Sequence, residues 1–304
     1  MGRSPRQTRI GLTPSKPRSH ERRNLVSRER DPLTLAEKAK AVKLLAPHIY
    51  SGDVSRAEVI EGGSIGSKDS AHDVFFATSG SDPRQGPIAI KRFRRPLSGR
   101  YELDAIYQAR RRGFKTLNPV GEGLFSLGEL GEALVTDRLP RFTTMNQVGW
   151  QNFYAGEPEY EDIAATLRSI AGFVGKMHSQ RTIHHDLQMK NIGQVPPQSF
   201  VLFDLEDAQF FDLSDDSYEF HDWCIADLRD MTASLVNHGY LADATDHLFA
   251  EELTANVLDP YLSVNPSERV LEGWQQVIDN AIYERRNGNR ALAGSAMGHL
   301  MLAA

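Results

Sequence analysis

From residue 33 to 47 the apolar side chains Leu33, Leu35, Ala39, Val42, Leu45 and Ala46 fall near helical spacing, and Pro47 ends the pattern, so a helix is predicted there. Short apolar runs then crowd together at Glu58–Ile60, Asp73–Ala77 and Ile88–Phe93. The turn-rich stretches Gly62-Gly63-Ser64-Ile65-Gly66 and Ser79-Gly80-Ser81-Asp82-Pro83 separate them, which reads as three strands. A helix from about Tyr101 to Arg112 stops at Gly113, and candidate strands Gly123–Leu127 and Ala133–Thr136 flank a Gly128/Gly131 turn. After Asp137 the period lengthens. Ile163, Leu167, Ile170, Val174 and Met177 form one stripe of a long helix over 160–179. Two short strands, near Ile192–Val195 and Phe200–Phe203, follow it, and from about Tyr218 the remainder is helical in pattern.

The order of elements predicts an α+β protein: a small, mostly antiparallel β portion with one helix, then a larger, mainly helical portion. Composition adds little against this. The 304 residues are 40% hydrophobic and 25% charged, which is ordinary for a globular chain. The single cysteine, Cys224, excludes an internal disulfide and any CxxC metal site. Charge is unevenly spread. Residues 1–32 hold nine Lys or Arg against three acids, a net of +6, so the rest of the chain carries −11. Segment 1–32 also holds four prolines and few large apolar side chains, and is expected to be a disordered basic tail suited to an anionic partner. The overall net charge of −5 argues against specific nucleic-acid binding. No apolar run approaches the roughly 18 to 20 residues a membrane span needs, and no signal-peptide h-region is seen, so a cytoplasmic location is expected.

The most informative stretch is Ile183-His184-His185-Asp186-Leu187-Gln188-Met189-Lys190-Asn191, followed by Phe200-Val201-Leu202-Phe203-Asp204. An Asp, an Asn five residues on, and a second Asp closing a strand suit phosphoryl transfer. Asp186 would take or orient the proton of the attacking hydroxyl. Asn191 and Asp204 offer hard oxygen ligands that suit Mg²⁺.

Here the sequence resembles the atypical branch of the protein-kinase-like superfamily. His184-His185-Asp186-Leu187…Asn191 is similar to its H-R-D-L-x-x-x-N loop, with His185 in the Arg place, and Asp204 to the Asp of D-F-G. Ile88-Ala89-Ile90-Lys91 is similar to the V-A-I-K strand. The resemblance covers about residues 57–235, with the elements in the family's order. It implies a two-lobed kinase-like fold, with an N-terminal lobe over 33–137 and a helical lobe over 138–304. It implies ATP and Mg²⁺ as cofactors and a hydroxyl-bearing acceptor. Catalytic roles would fall on Asp186, Lys91 and Glu102, with Lys91 on the α/β-phosphates and Glu102 as its partner. Nucleotide contacts would come from Gly62, Gly63 and Gly66 over the phosphates and from Asp137 and Leu139 against the adenine. Asn191 and Asp204 would hold the metal.

The departures narrow the class. Gln188 stands where Ser/Thr protein kinases usually have Lys, Asp204 is followed by Leu205-Glu206-Asp207-Ala208 without a glycine, and only 22 residues separate Asp204 from Asp227. No long activation segment fits there. The chain therefore resembles aminoglycoside/choline phosphotransferases, lipopolysaccharide-core sugar kinases and RIO-type kinases more than regulated protein kinases. A small-molecule, sugar or lipid-linked acceptor is expected; an atypical Ser/Thr protein kinase is the near alternative. A kinase-shaped binding protein without transfer activity is the alternative of another class. The pairs His72-Asp73, His185-Asp186 and His221-Asp222 also admit a metal-dependent phosphohydrolase, but that reading leaves the strands unexplained. Asp227 or Asp222 is a candidate anchor for the catalytic loop, and His184 is expected to hold the loop backbone.

Overall fold

In the computed structural model, which describes residues 30–50, 57–60, 72–79, 87–138, 143–144, 160–195, 199–237, 240–241 and 244–301, the first helix is started by a reciprocal cap. Thr34 Oγ1 accepts from the Glu37 N–H at 3.3 Å, and the Glu37 carboxylate accepts from the Thr34 N–H at 2.8 Å. Helix α1 (Leu35–Ile49) runs through Pro47 rather than stopping there. So close to the end, the proline forfeits a single backbone bond, and Tyr50 N–H still closes on Ala46 O at 2.9 Å. The predicted tail, residues 1–32, lies outside the described residues except at its last three positions.

The strands β1 (Ala57–Val59), β2 (His72–Ser79), β3 (Ile88–Phe93), β5 (Pro119–Ser126) and β6 (Glu132–Asp137) form one antiparallel sheet in the order β1-β2-β3-β6-β5. Register decides which side chains face which way. Val74 lies opposite Lys91 and His72 opposite Phe93, so these four share a face. On the other face Phe75, Ile90 and Val135 pack with Val42, Leu45 and Ala46 of α1 in one buried cluster. Asp73, on that same side, is buried and accepts from Arg92 at 2.8 Å, Arg94 at 3.2 Å and the Leu33 N–H at 3.3 Å. These bonds tie the segment before α1 to the sheet.

Helix α2 (Ser98–Arg111) begins three residues before the expected Tyr101. Gly99 permits this, because a Cβ there would lie 2.9 Å from the buried Phe93 ring. The helix can thus lie close against β3, and that closeness aims Glu102 at the sheet. Its far end is held by Arg112, which donates to Arg181 O at 2.8 Å and Phe211 O at 2.7 Å.

Four very short strands escaped the periodicity, since two residues carry no period: β4 (Lys115–Thr116), β7 (Thr143–Thr144), β8 (Thr182–Ile183) and β11 (Gln209–Phe210). They matter for the site. With β9 (Ile192–Val195) and β10 (Ser199–Leu202) they make a second sheet, β4-β10-β9-β7, and a separate β8–β11 pair. The chain runs β8, loop, β9, then β10, loop, β11, and β9 pairs with β10 while β8 pairs with β11. Two loops, 184–191 and 203–208, are therefore clamped side by side at both ends.

The helical part lies beneath. Helix α3 (Tyr160–Ser179) packs on α6 (Asp259–Val264), and α4 (Tyr218–Asn237) on α7 (Glu268–Met301), with α5 (Asp246–Leu253) joined to α6 by one wide turn. A Cβ at Gly175 would meet Tyr261 O at 2.8 Å, so this glycine lets α3 and α6 approach. The bounds of the two lobes proposed from sequence remain a proposal; the sheet and the helical part are what the fold displays. Leu45 is 1% exposed between α1 and the sheet. Leu45→Ala should therefore lower unfolding free energy by about 2 to 5 kcal/mol in denaturant titration, and a loss under about 1 kcal/mol would mean that α1 does not complete this core.

Candidate active site

Lys91 projects from the middle of β3 and carries the two strongest contacts of the region. Its Nζ lies 2.6 Å from Glu102 Oε2 of α2, and it also pairs with Asp204 on the second clamped loop. Burial works against the Lys91 charge, but Glu102 and Asp204, followed by Glu206, outweigh it and hold its pKa above the usual lysine value. Burial likewise raises Asp204, yet Lys91 reverses this and keeps the carboxyl below its ordinary value, so it is anionic. Asp204 adopts a left-handed backbone with φ 54°, a conformation costly for a residue with a Cβ and one that collects at functional sites.

The first clamped loop is organised around Asp186. Its Oδ1 accepts from Gln188 Nε2 at 2.6 Å and its Oδ2 from Asn191 Nδ2 at 3.0 Å. Asn191 Nδ2 donates as well to Asp186 O at 2.8 Å. The amide nitrogen is thereby committed to the loop, and the amide oxygen is the atom that could serve as a ligand. That donor set, an amide oxygen and a carboxylate, fits a hard cation such as Mg²⁺. Phe203 N–H donates to Asn191 O at 2.9 Å, which ties the loop of Asp204 to that of Asn191.

His184 is buried and holds backbone, as expected. Its Nε2 bonds Phe203 O at 2.8 Å while its Nδ1 accepts from the Asp186 N–H at 3.3 Å, a pairing that requires the Nε2–H tautomer. Asp227 proves to be the anchor. It accepts from the backbone N–H of His184 at 2.8 Å and of His185 at 2.9 Å, whereas Asp222 is exposed beside Arg269. His185, at φ 65°, sits edge-on to Trp223 at 4.4 Å and shares a hydrogen bond with Gln209.

Of the nucleotide-binding residues expected from sequence, Asp137 is exposed at the end of β6, its carboxylate accepting from Asn118 Nδ2 at 2.8 Å. Gly62, Gly63, Gly66 and Leu139 lie outside the described residues. The three His-Asp pairs do not converge: His72 faces Glu206, Asp73 faces the arginines, and His221 contacts Asp216 on the surface. The phosphohydrolase reading has no site among the described residues.

Sequence reasoning missed His178. This fully buried histidine contacts Asp227 at 3.2 Å and the Tyr261 hydroxyl at 2.9 Å, and Asn265 Nδ2 donates to the same hydroxyl at 2.7 Å. Burial disfavours its charge, but Cys224 and Asp227 outweigh that and push it up to about 9. Its position on the apolar stripe of α3, one residue after Met177, was the available signal. Arg112 was missed as well; it was visible only as the last residue of a predicted helix.

A lysine shared by two carboxylates thus stands beside a loop aspartate steadied by an amide. Residues 90–245 match the lipopolysaccharide kinase (Kdo/WaaP) family. The chain belongs to that family and is a kinase. No curated protein matches it in sequence. Among solved structures, "WaaP in complex with acyl carrier protein" is similar at a TM-score of 0.48 and 16% identity, over 76% of this chain and 89% of that one.

The His178–Asp227 pair has a pH signature. His178 is raised from 6.5 to about 9 on folding, so the stability it contributes is full below pH 6.5 and is lost as pH rises through about 9. Denaturant unfolding of wild type and His178→Gln should give a stability gap that closes across that window; a gap that stays constant would contradict the charged pair.

Proposed function

We propose that this kinase moves the γ-phosphoryl group of ATP, with Mg²⁺, to a sugar hydroxyl of a lipopolysaccharide core. Family membership supports the sugar acceptor, and one observation carries the chemistry. Lys91 is bonded to both Glu102 and Asp204, with Asp186 and Asn191 on the adjoining loop.

In this reading Lys91, steadied by Glu102, takes the α/β-phosphates once nucleotide arrives. Asn191 and Asp204 would hold Mg²⁺, which would supply positive charge against the phosphates. Asp186 accepts the proton of the acceptor hydroxyl, and its carboxylate is already oriented by Gln188 and Asn191. Positioning and electrostatics do most of the catalysis. The resemblance would give adenine contacts to Asp137 and Leu139 and phosphate contacts to Gly62, Gly63 and Gly66, with the lobes 33–137 and 138–304 dividing near Asp137.

The short path from Asp204 to α4 supports a small or sugar acceptor over a peptide. After β11 only residues 211–217 intervene before Tyr218 starts the helix, too few for a peptide-docking platform. No helix among the described residues is long and apolar enough to cross a membrane. We place the enzyme in the cytoplasm, where ATP is supplied, with the basic segment 1–32 directed to an anionic partner.

Thermal unfolding with and without Mg·ATP tests the nucleotide site. At about 100-fold over its dissociation constant, a ligand adds about 2.7 kcal/mol. The wild type should shift upward only when metal is present, and both Asp204→Ala and Lys91→Met should abolish the shift. No shift of the wild type at millimolar Mg·ATP would contradict the proposal.

A further inference from the structure

The cleft face of the sheet carries one group that phosphotransfer leaves unused. His72, at the start of β2, is buried, is set edge-on to Phe93 at 5.1 Å, and lies 3.2 Å through its Nε2 from Glu206 Oε1. Glu206 is two residues past Asp204 on a short helical turn, Leu205–Asp207, that is anchored by the buried Leu205. One ligand atom from each of His72, Asp204 and Glu206 lies within 4.8 Å of the other two.

We propose that His72, Asp204 and Glu206 form a divalent-cation site that fills without nucleotide and takes first-row transition ions in preference to Mg²⁺, with Mn²⁺, the weakest-bound of that series, as a spectroscopic probe. Neighbouring ligands on an octahedral ion with bonds of about 2.1 Å stand about 3 Å apart. The 3.2 Å between His72 and Glu206 is already that spacing, and Asp204 needs only a side-chain adjustment to join them. Three elements of the fold fix the donors: the register of β2 against β3 for His72, the left-handed backbone for Asp204, and the turn for Glu206.

Charge favours a cation in the same place. The Lys91 ammonium is bonded to two carboxylates, Glu102 and Asp204, with Glu206 two residues further along the same loop, in a region where side-chain exposure runs from 2% at Glu102 to 32% at Asp204. The donor set then selects the ion. Carboxylate oxygens alone suit Mg²⁺ or Ca²⁺, whereas an imidazole nitrogen shifts preference toward transition metals, and affinity at a mixed nitrogen–oxygen site rises along that series. This set differs from Asn191 with Asp204, and it involves the sheet as well as the loops. Asp204 is common to both sets, but the proposal does not depend on phosphotransfer, because the proposed site fills without nucleotide.

Mn²⁺ titration of the nucleotide-free full chain, followed by electron paramagnetic resonance, tests it. One site is expected, with Mg²⁺ competing only at a large excess. Glu206→Gln and His72→Gln should each weaken it about tenfold or more, while Asn191→Ala leaves it in place. Thermal unfolding of each variant without metal checks that it is folded. The wild type alone gives a second reading: electron spin-echo modulation of bound Mn²⁺ should show coupling to an imidazole nitrogen. Absence of a Mn²⁺ site, a site without nitrogen coupling, or equal affinity for Mg²⁺ would each overturn the proposal. Mn²⁺ binding lost in Asn191→Ala but kept in Glu206→Gln would overturn it too. An Mg·ATP-dependent thermal shift that persists alongside any of these outcomes shows that the nucleotide reading survives on its own.

Discussion

Lys91 lies 11 positions before one carboxylate partner and 113 before the other. Neither contact is local, and each demands a different part of the fold. Reaching Glu102 requires α2 to lie close on β3, which Gly99 allows. Reaching Asp204 requires the loop after β10 to come up beneath the sheet. A half-buried ammonium without a partner would be strongly disfavoured, so the arrangement of sheet, helix and loop is coupled through this one group. Removing the Lys91 ammonium leaves two carboxylates without their cation, and the penalty falls on the geometry of the site as much as on stability.

The loops themselves are held by paired short strands as well as by the large core, which takes in Leu187, Met189 and Leu205. The β8–β11 and β9–β10 pairs fix the ends, and Asp227 fixes the middle by accepting from two consecutive backbone N–H groups. Three non-glycine residues nearby have positive φ: Arg181, His185 and Asp204. Each such conformation costs of order 1 kcal/mol or more and persists only where its surroundings dictate it. Here the dictation is explicit. Arg112 braces the backbone at Arg181, Asp227 and Trp223 hold His185, and Lys91 holds Asp204. One of the three, Asp204, is assigned to chemistry, and His185 immediately precedes another such residue, Asp186.

Much of this was legible in the sequence, for physical reasons that differ between elements. Strand β3 was read to the residue because Ile88, Ile90 and Phe93 fill buried positions in a short run bounded by turns. The long helix of residues 160–179 was read because its apolar stripe is unbroken. The spacing of Asp186, Asn191 and Asp204 singled them out together, and the structure sets Asn191 on Asp186; Glu102, expected as the partner of Lys91 from its place in the next helix, does contact it. Pro47 misled, since a proline's cost depends on how many helical bonds follow it, and here almost none do. The partners of the loop were hidden. His178, Gln188 and Glu206 act through contacts made only when distant segments meet, and no periodicity announces a buried hydrogen bond. The short strands were hidden too, because they exist only as halves of pairs.

The event proposed for this kinase is movement of a phosphoryl group onto a sugar hydroxyl with Asp186 as the proton acceptor. The most direct measurement follows labelled γ-phosphate from ATP to a dephosphorylated lipopolysaccharide core, in single turnover, with wild type and Asp186→Asn. The account predicts label on the sugar with wild type, and a transfer rate lower by about 10²- to 10⁴-fold in the variant, with nucleotide affinity unchanged. Tight nucleotide binding by the wild type with no label on the sugar, or equal transfer by Asp186→Asn, would contradict it.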